Sequence, residues 1–165
     1  MANASTTGFG YRPIKKVGQT DNNAGLGEYS VAASSALISH ASMVQLTADG
    51  VILKAGNTTE NNLGVLNGVF FTDADTNKPT FANFSKASNT ATDITAFVND
   101  DPRQMYDIMS ADTAFNQNEV GGCADQVDAD GTSPLFISKS KISATTANTK
   151  AQLKIIGVSR DPDHS

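Results

Sequence analysis

Val44-Gln45-Leu46-Thr47-Ala48-Asp49-Gly50-Val51-Ile52-Leu53-Lys54, followed by Leu63-Gly64-Val65-Leu66-Asn67-Gly68-Val69-Phe70-Phe71, decides the fold. An Asp-Gly dipeptide lies between two apolar runs, and glycine tolerates the positive φ that a tight hairpin turn demands. Val44 and Leu46 alternate with Gln45 and Thr47, the period of a strand with one buried and one wet face. The stretch therefore predicts extended structure around a hairpin, with no reacting group attached to it.

The same grammar continues on both sides. Residues 1 to 27 hold glycine at 8, 10, 18, 25 and 27, together with Pro13 and the turn cluster Asp21-Asn22-Asn23-Ala24-Gly25; this predicts an extended N-terminal arm. Tyr29 to Ala32 and Ala36 to Ser39 are short candidate strands. Thr72 to Pro79 carries the Asp, Asn and Pro content of a loop, and of Phe81 and Phe84 after it one or both are expected to fold inward as covers. Ile94 to Val98 predicts a strand stopped by Asn99-Asp100-Asp101-Pro102, and Gln104 to Met109 returns after that turn. Pro102 belongs at the corner because it has no N–H for a ladder. Ser110 to Val120 is the one candidate helix, about two turns at most, capped by Ser110 or Asp112 and ended by Gly121-Gly122. Leu135 to Ser138 and Ala151 to Val158 are the late candidate strands, with Thr145 to Thr149 a small polar loop between them. Short strands with almost no helix to cover a parallel sheet predict an all-β fold, an antiparallel sandwich or small barrel. The expected organisation is an arm over residues 1–27 and a single β domain over 28–165.

A chain of 165 residues suits one domain, burying roughly 70% of its extended surface on folding. Charged residues make up 18% of it and tryptophan is absent, a composition of strands and turns. The net charge of −5 argues against nonspecific nucleic-acid binding, which needs clustered cations. The charge is uneven: residues 1–20 hold Arg12, Lys15 and Lys16 and no acid, so they carry +3, and the other nine basic and seventeen acidic residues leave −8. A basic arm on an acidic body suggests docking on something anionic, such as a neighbouring subunit. Cys123 is the only cysteine, so no intrachain disulfide forms and a reducing compartment is expected. The polar N-terminus lacks the apolar core of a signal peptide, and no run approaches the ~20 apolar residues of a membrane helix.

Candidate chemistry is sparse. His40 and His164 are the only histidines, and without a close ligand pair no zinc site is expected. Asp128-Ala129-Asp130-Gly131 has the start of a calcium loop, but counting from Gln126 the twelfth position is Ile137 where a bidentate Glu is required. Asp73-x-Asp75 reads as a solvated turn. Gly8-Phe9-Gly10 and Gly25-Leu26-Gly27 lack the third glycine and the strand-to-helix setting of a dinucleotide site. Neither a phosphate-binding GxxxxGK[ST] nor a Gly-x-Ser-x-Gly elbow is present. No catalytic residue, cofactor or metal is assigned, and the chain is read as a non-enzyme.

Val44 to Gly50, Leu63-Gly64-Val65, Phe70-Phe71-Thr72-Asp73, Phe97 to Pro102 and Gln152 to Val158 with Asp161-Pro162-Asp163, taken in that order, resemble the small capsid decoration or cement proteins of tailed bacteriophages. The resemblance runs from roughly Gly8 to the C-terminus and lies in the order of loose strand-and-turn segments. It implies a mostly β virion protein, made in the bacterial host cytoplasm. Such a protein binds the outer face of the capsid and ties neighbouring major capsid proteins together, commonly as a homotrimer. It implies no catalytic residues, and no nucleic acid or membrane partner is expected. The residues expected to contact a neighbouring chain are Phe9, Tyr11, Arg12, Pro13, Lys15 and Lys16, with the two rings as anchors and the cations meeting acidic surface. The alternative is a head-fibre or adhesin-like glycan-binding module using exposed aromatics and the Asp73 to Asn77 loop.

Overall fold

Residues 7–18, 25–32, 35–56, 61–111, 115–143 and 151–159 are described by the computed structural model. Their framework is a six-stranded antiparallel sheet. In chain order its strands are β2 (Gly27–Ser30), β3 (Met43–Leu46), β4 (Ile52–Lys54), β5 (Asn62–Thr72), β6 (Pro79–Ala82) and β7 (Thr95–Asn99). They lie in the order β2-β7-β5-β3-β4, with β6 also paired to β5. The sheet is open, which settles the sandwich-or-barrel expectation against a closed barrel.

The hairpin at Asp49-Gly50 is present, with Val44 opposite Lys54 and Leu46 opposite Ile52. Gly50 takes φ +74°, its N–H bonds to Thr47 O at 3.1 Å, and Thr47 N–H bonds to Val51 O at 2.9 Å. That is a three-residue turn closed by a left-handed glycine, a geometry that matches strand twist. The expected alternation is modified: Met43 and Val44 are both buried, while Leu46 is exposed. The reason is that this sheet is covered on both faces around β3.

The central strand β5 is eleven residues long and serves three neighbours. Its first part pairs with β3 and β7, its last part with β7 and β6. Along β7 the register passes from Leu66–Val98 directly to Gly68–Phe97, so Asn67 is an inserted residue, a bulge. The bulge has a packing consequence. Leu66 and Val69 are three residues apart, an odd spacing that would send them to opposite faces, yet both lie in the core with Ile38, Val44, Ile52, Ala96 and Val98. The extra residue resets the alternation.

On the opposite face, Met43 and Val65 meet Tyr11, Ala41 and Ala55. The covering layer consists of β1 (Arg12–Lys16) paired with β8 (Gln104–Asp107), β9 (Cys123–Ala124) with β12 (Leu153–Lys154), and β10 (Gln126–Val127) with β11 (Lys141–Ile142). A third cluster of Ala124, Ile142 and Ile155, joined by Phe115 and Val120, closes its far side. β1 is exposed along most of its length, contains Pro13 and is bulged at Ile14.

Several local expectations are corrected. Ser110 to Val120 is not a two-turn helix: Ser110 bridges Ile142, Ala111 N–H bonds to Ile142 O at 2.8 Å, and only a single 3-10 turn, Gln117–Glu119, forms. Glu119's carboxylate accepts the N–H of Asn116 and so closes that turn; Asp112 lies outside the described residues, as does the loop 145–149. Gln104 to Asp107 does not pair back on β7, because β7 already has β2 and β5 as neighbours. Residues 36–39 and 135–138 contribute only isolated bridges, at Ile38 and Ile137. Within Ala151 to Val158 only Leu153–Lys154 is strand, and Ile156 and Val158 are exposed. Phe84 is half-buried and stacks on Phe136 with ring centroids 4.3 Å apart, but Phe81 faces outward.

Candidate functional site: an uncovered aromatic face

The covering layer reaches only part of the sheet. Beyond the bulge, Val69, Phe71, Ala82, Ala96 and Val98 point into or pack against the first core. Strand alternation therefore sends their neighbours Gly68, Phe70, Phe81 and Phe97 to the other face. Among the described residues Phe70 and Phe81 are left exposed here, while Phe97 is half-buried and Gly68 is buried beneath Phe81. Phe81 is 61% exposed and Phe70 42%, and the two are directly opposed across β5 and β6. Phe81 and Phe97 have ring centroids 6.0 Å apart, tilted by 37°. Gly68 makes the arrangement fit: a Cβ there would lie 2.7 Å from Phe81 Cζ and 3.0 Å from Ala82 O. Any larger residue would push Phe81 off the sheet.

The rim is polar and includes acidic groups, with the Asp93 carboxylate accepting from Thr72 Oγ1 at 2.7 Å. Glu28 lies opposite Phe97, and Ser30 opposite Thr95, on the neighbouring strand. His40 bridges Ile137, and its Nδ1 lies 2.9 Å from Asn67 O. A carbonyl has no proton to give, so Nδ1–H is the donor, which fixes the tautomer. Asn83 Nδ2 donates to Leu135 O at 2.9 Å, setting the exposed Leu135 and its loop beside β6. A rigid, aromatic, partly desolvated surface of this kind is the usual anchor of protein docking.

The six residues expected on a reaching arm are placed differently from one another. Tyr11 is 1% exposed; its ring meets Tyr106 edge-on at 5.9 Å, and its hydroxyl donates to Gln126 Oε1 at 3.0 Å. Burial, and secondarily the charge of Asp128, pushes the phenol well above its ordinary range. Tyr11 therefore fills a socket in its own chain and is inaccessible to a neighbour. Arg12 pairs with Asp107 and lies 5.3 Å over the Phe9 ring. Lys16 Nζ is 2.7 Å from Asp101 Oδ2. Those cations do meet acidic surface, but that of their own body. Pro13 and Lys15 stay exposed on β1.

Gln126 is the polar centre under this layer. Besides accepting from Tyr11, its amide donates to Ala55 O at 3.0 Å and to Gly56 O, while its N–H bonds to Gln152 Oε1 at 3.0 Å. Next to it the Asp128-Ala129-Asp130-Gly131 turn is occupied by an internal cation: Lys54 Nζ is 2.6 Å from Asp128 Oδ2 and 2.8 Å from Asp130 Oδ1. Burial alone would depress this ammonium, but hydrogen bonds to both carboxylates outweigh it and raise the pKa. Gly131 is required by close approach, since a Cβ would lie 2.3 Å from Ile137 O.

The Asp73 to Asn77 loop is built as a self-contained turn. Asp73 Oδ1 accepts from Asp75 N at 3.1 Å, Thr76 N at 2.8 Å and Thr76 Oγ1 at 2.9 Å, and hydrogen bonding from Thr76 holds its carboxyl below the ordinary range. Oδ1 of this carboxylate is thereby committed to shaping the loop.

No known protein family, curated protein or solved structure matches this chain. Sequence reasoning missed the aromatic face, although a signal was available: two successive phenylalanines in a strand, Phe70-Phe71, must point to opposite faces.

Proposed function

We propose that the chain is a structural virion protein that binds the outer surface of a phage capsid and cements neighbouring major capsid proteins, and that it docks through Phe70, Phe81 and Phe97. The observation that supports this reading most is the uncovered aromatic end of a rigid sheet, together with the ordered strand-and-turn resemblance to decoration proteins. Many copies, each making a modest contact across subunit seams, stabilise a shell without any single strong contact. A homotrimer is the assembly that the resemblance implies. Tied down on its own chain, the arm contributes through its exposed edge at Pro13 and Lys15.

The test is cosedimentation of the purified chain with decoration-free shells of its source phage, scored against an unrelated shell. Saturable binding to the matching shell, lost in Phe81→Asp while the far-UV circular dichroism of the β fold persists, is the expected outcome. Absence of wild-type binding at every salt concentration would remove the reading. Binding unaffected by Phe81→Asp would move the contact elsewhere.

A further inference from the structure

Asn67-Gly68 is the only Asn-Gly dipeptide in the chain, and it falls at a gap in the pairing on both sides of β5. Toward β7 the register skips Asn67. On the other side the last pairing contributed by the β3 segment is Ala41 N–H to Leu66 O at 3.0 Å, while pairing with β6 begins only at Val69. The gap is filled by the His40 imidazole, whose Nδ1–H donates to Asn67 O at 2.9 Å. The Asn67 side chain itself is exposed, between the buried Leu66 and Gly68.

We infer that Asn67 is a site of spontaneous deamidation, a built-in chemical change that places a carboxylate beside the aromatic face. Three features converge on it. Glycine at 68 adds no Cβ to shield its nitrogen from the Asn67 carboxamide. The bulge frees the asparagine from the ladder that would otherwise hold its side chain and main chain apart. The His40 hydrogen bond draws electron density toward the Asn67 carbonyl oxygen and makes the adjoining Gly68 N–H more acidic, because hydrogen-bonded groups polarise one another.

The reaction balances with water alone. Gly68 N gives its proton to solvent base and attacks Asn67 Cγ; the new N–Cγ bond forms, the Cγ–NH2 bond breaks and ammonia leaves, closing a succinimide ring. Water then opens the ring at either carbonyl, leaving aspartate, or isoaspartate with the main chain routed through the side chain. Nothing is oxidised or reduced. The product carries a negative charge next to Gly68, the residue on which the Phe81 ring rests. A charge entering an apolar contact is costly unless it is paired, so the reaction changes the docking surface with age.

The test is a time course of the intact purified chain in mildly alkaline buffer, with peptide mapping by mass spectrometry and isoaspartate detection by enzymatic methylation. The expected result is conversion at Asn67 several-fold faster than at Asn77, Asn83 or Asn99, with a mixture of aspartate and isoaspartate. His40→Phe, which keeps a ring in the gap but removes the donor, should slow conversion several-fold. Should that variant fail to fold, His40→Gln, which retains a donor, should fold and convert at a rate closer to wild type. Asn67 remaining intact while other asparagines convert would overturn the inference, and a rate identical in His40→Phe and wild type would overturn the role of the imidazole. These readouts do not involve a shell, so they stand or fall apart from the docking reading.

Discussion

The two ends of one sheet face have opposite fates. At the β3 end, Met43 and Val65 are sealed by Tyr11 and Ala41 beneath β1 and β8. At the β6 end, among the described residues, Phe70 and Phe81 stay exposed and Phe97 is half-buried beside Phe81. The difference is not hydrophobicity, since the open end is the more aromatic. It is the presence of a hydrogen-bonded support: the closed end has Gln126, which satisfies the Tyr11 hydroxyl and the Ala55 and Gly56 carbonyls together. Among the described residues, one half of this face carries a lid and the other leaves Phe70 and Phe81 exposed; that exposed half is the surface on which the docking proposal rests.

The sharpest way to break this comparison is at the closed end. Tyr11→Ala removes a fully buried ring and orphans Gln126 Oε1, and should cost about 3–5 kcal/mol, read as a fall in the denaturant midpoint. A loss below about 1 kcal/mol would mean that the lid is not part of the cooperative core. Gln126→Ala should cost about 1–3 kcal/mol by leaving buried partners unpaired. At the open end, Phe81→Ala should change stability by only about 0.5 kcal/mol while weakening shell cosedimentation; a large stability loss there would make the rings core after all.

The smallest expected effect is on pH. The hydrogen bond from Lys16, with that from Arg103 N–H, holds the Asp101 carboxyl below the ordinary aspartate range. A depressed folded-state pKa contributes stability that is present at neutral pH and is lost as pH falls through the carboxylate range. Acid should therefore loosen the β1 side of the lid, and Asp101→Asn should make thermal stability less steep in that window. An unchanged acid limb in the variant would show that the Lys16–Asp101 pair contributes nothing measurable.

Much of the framework was legible from local chemistry. The hairpin around Gly50 and the long strand of β5 follow from turn residues and period-two patterning, and both are present. What the period could not reveal was the bulge at Asn67, because a one-residue insertion is set by the register of a partner strand far away in sequence. The same limit explains the short late segments: Ile137 and Ile155 are apolar and β-branched, but a strand needs an unpaired neighbour, and the geometry leaves them a bridge and a small cluster. Tyr11 was expected to anchor on a neighbouring chain, but it fills a socket in its own, one assembled from residues 41, 55, 106 and 126 and so not readable from the local sequence. Of the two rings offered as covers, Phe84 packs on Phe136 and Phe81 stays exposed, because β6 is an edge strand paired only to β5.

The shape of β1 also bears on crowding. Proline at 13 gives β1 one N–H fewer, the register shift at Ile14 interrupts the row, and Lys15 and Lys16 follow within the same strand. An open strand that is flat and regular is a template on which copies stack end on end. This one is broken at its middle and cationic at its end. Copies brought to high local density can then remain discrete particles instead of growing into sheets.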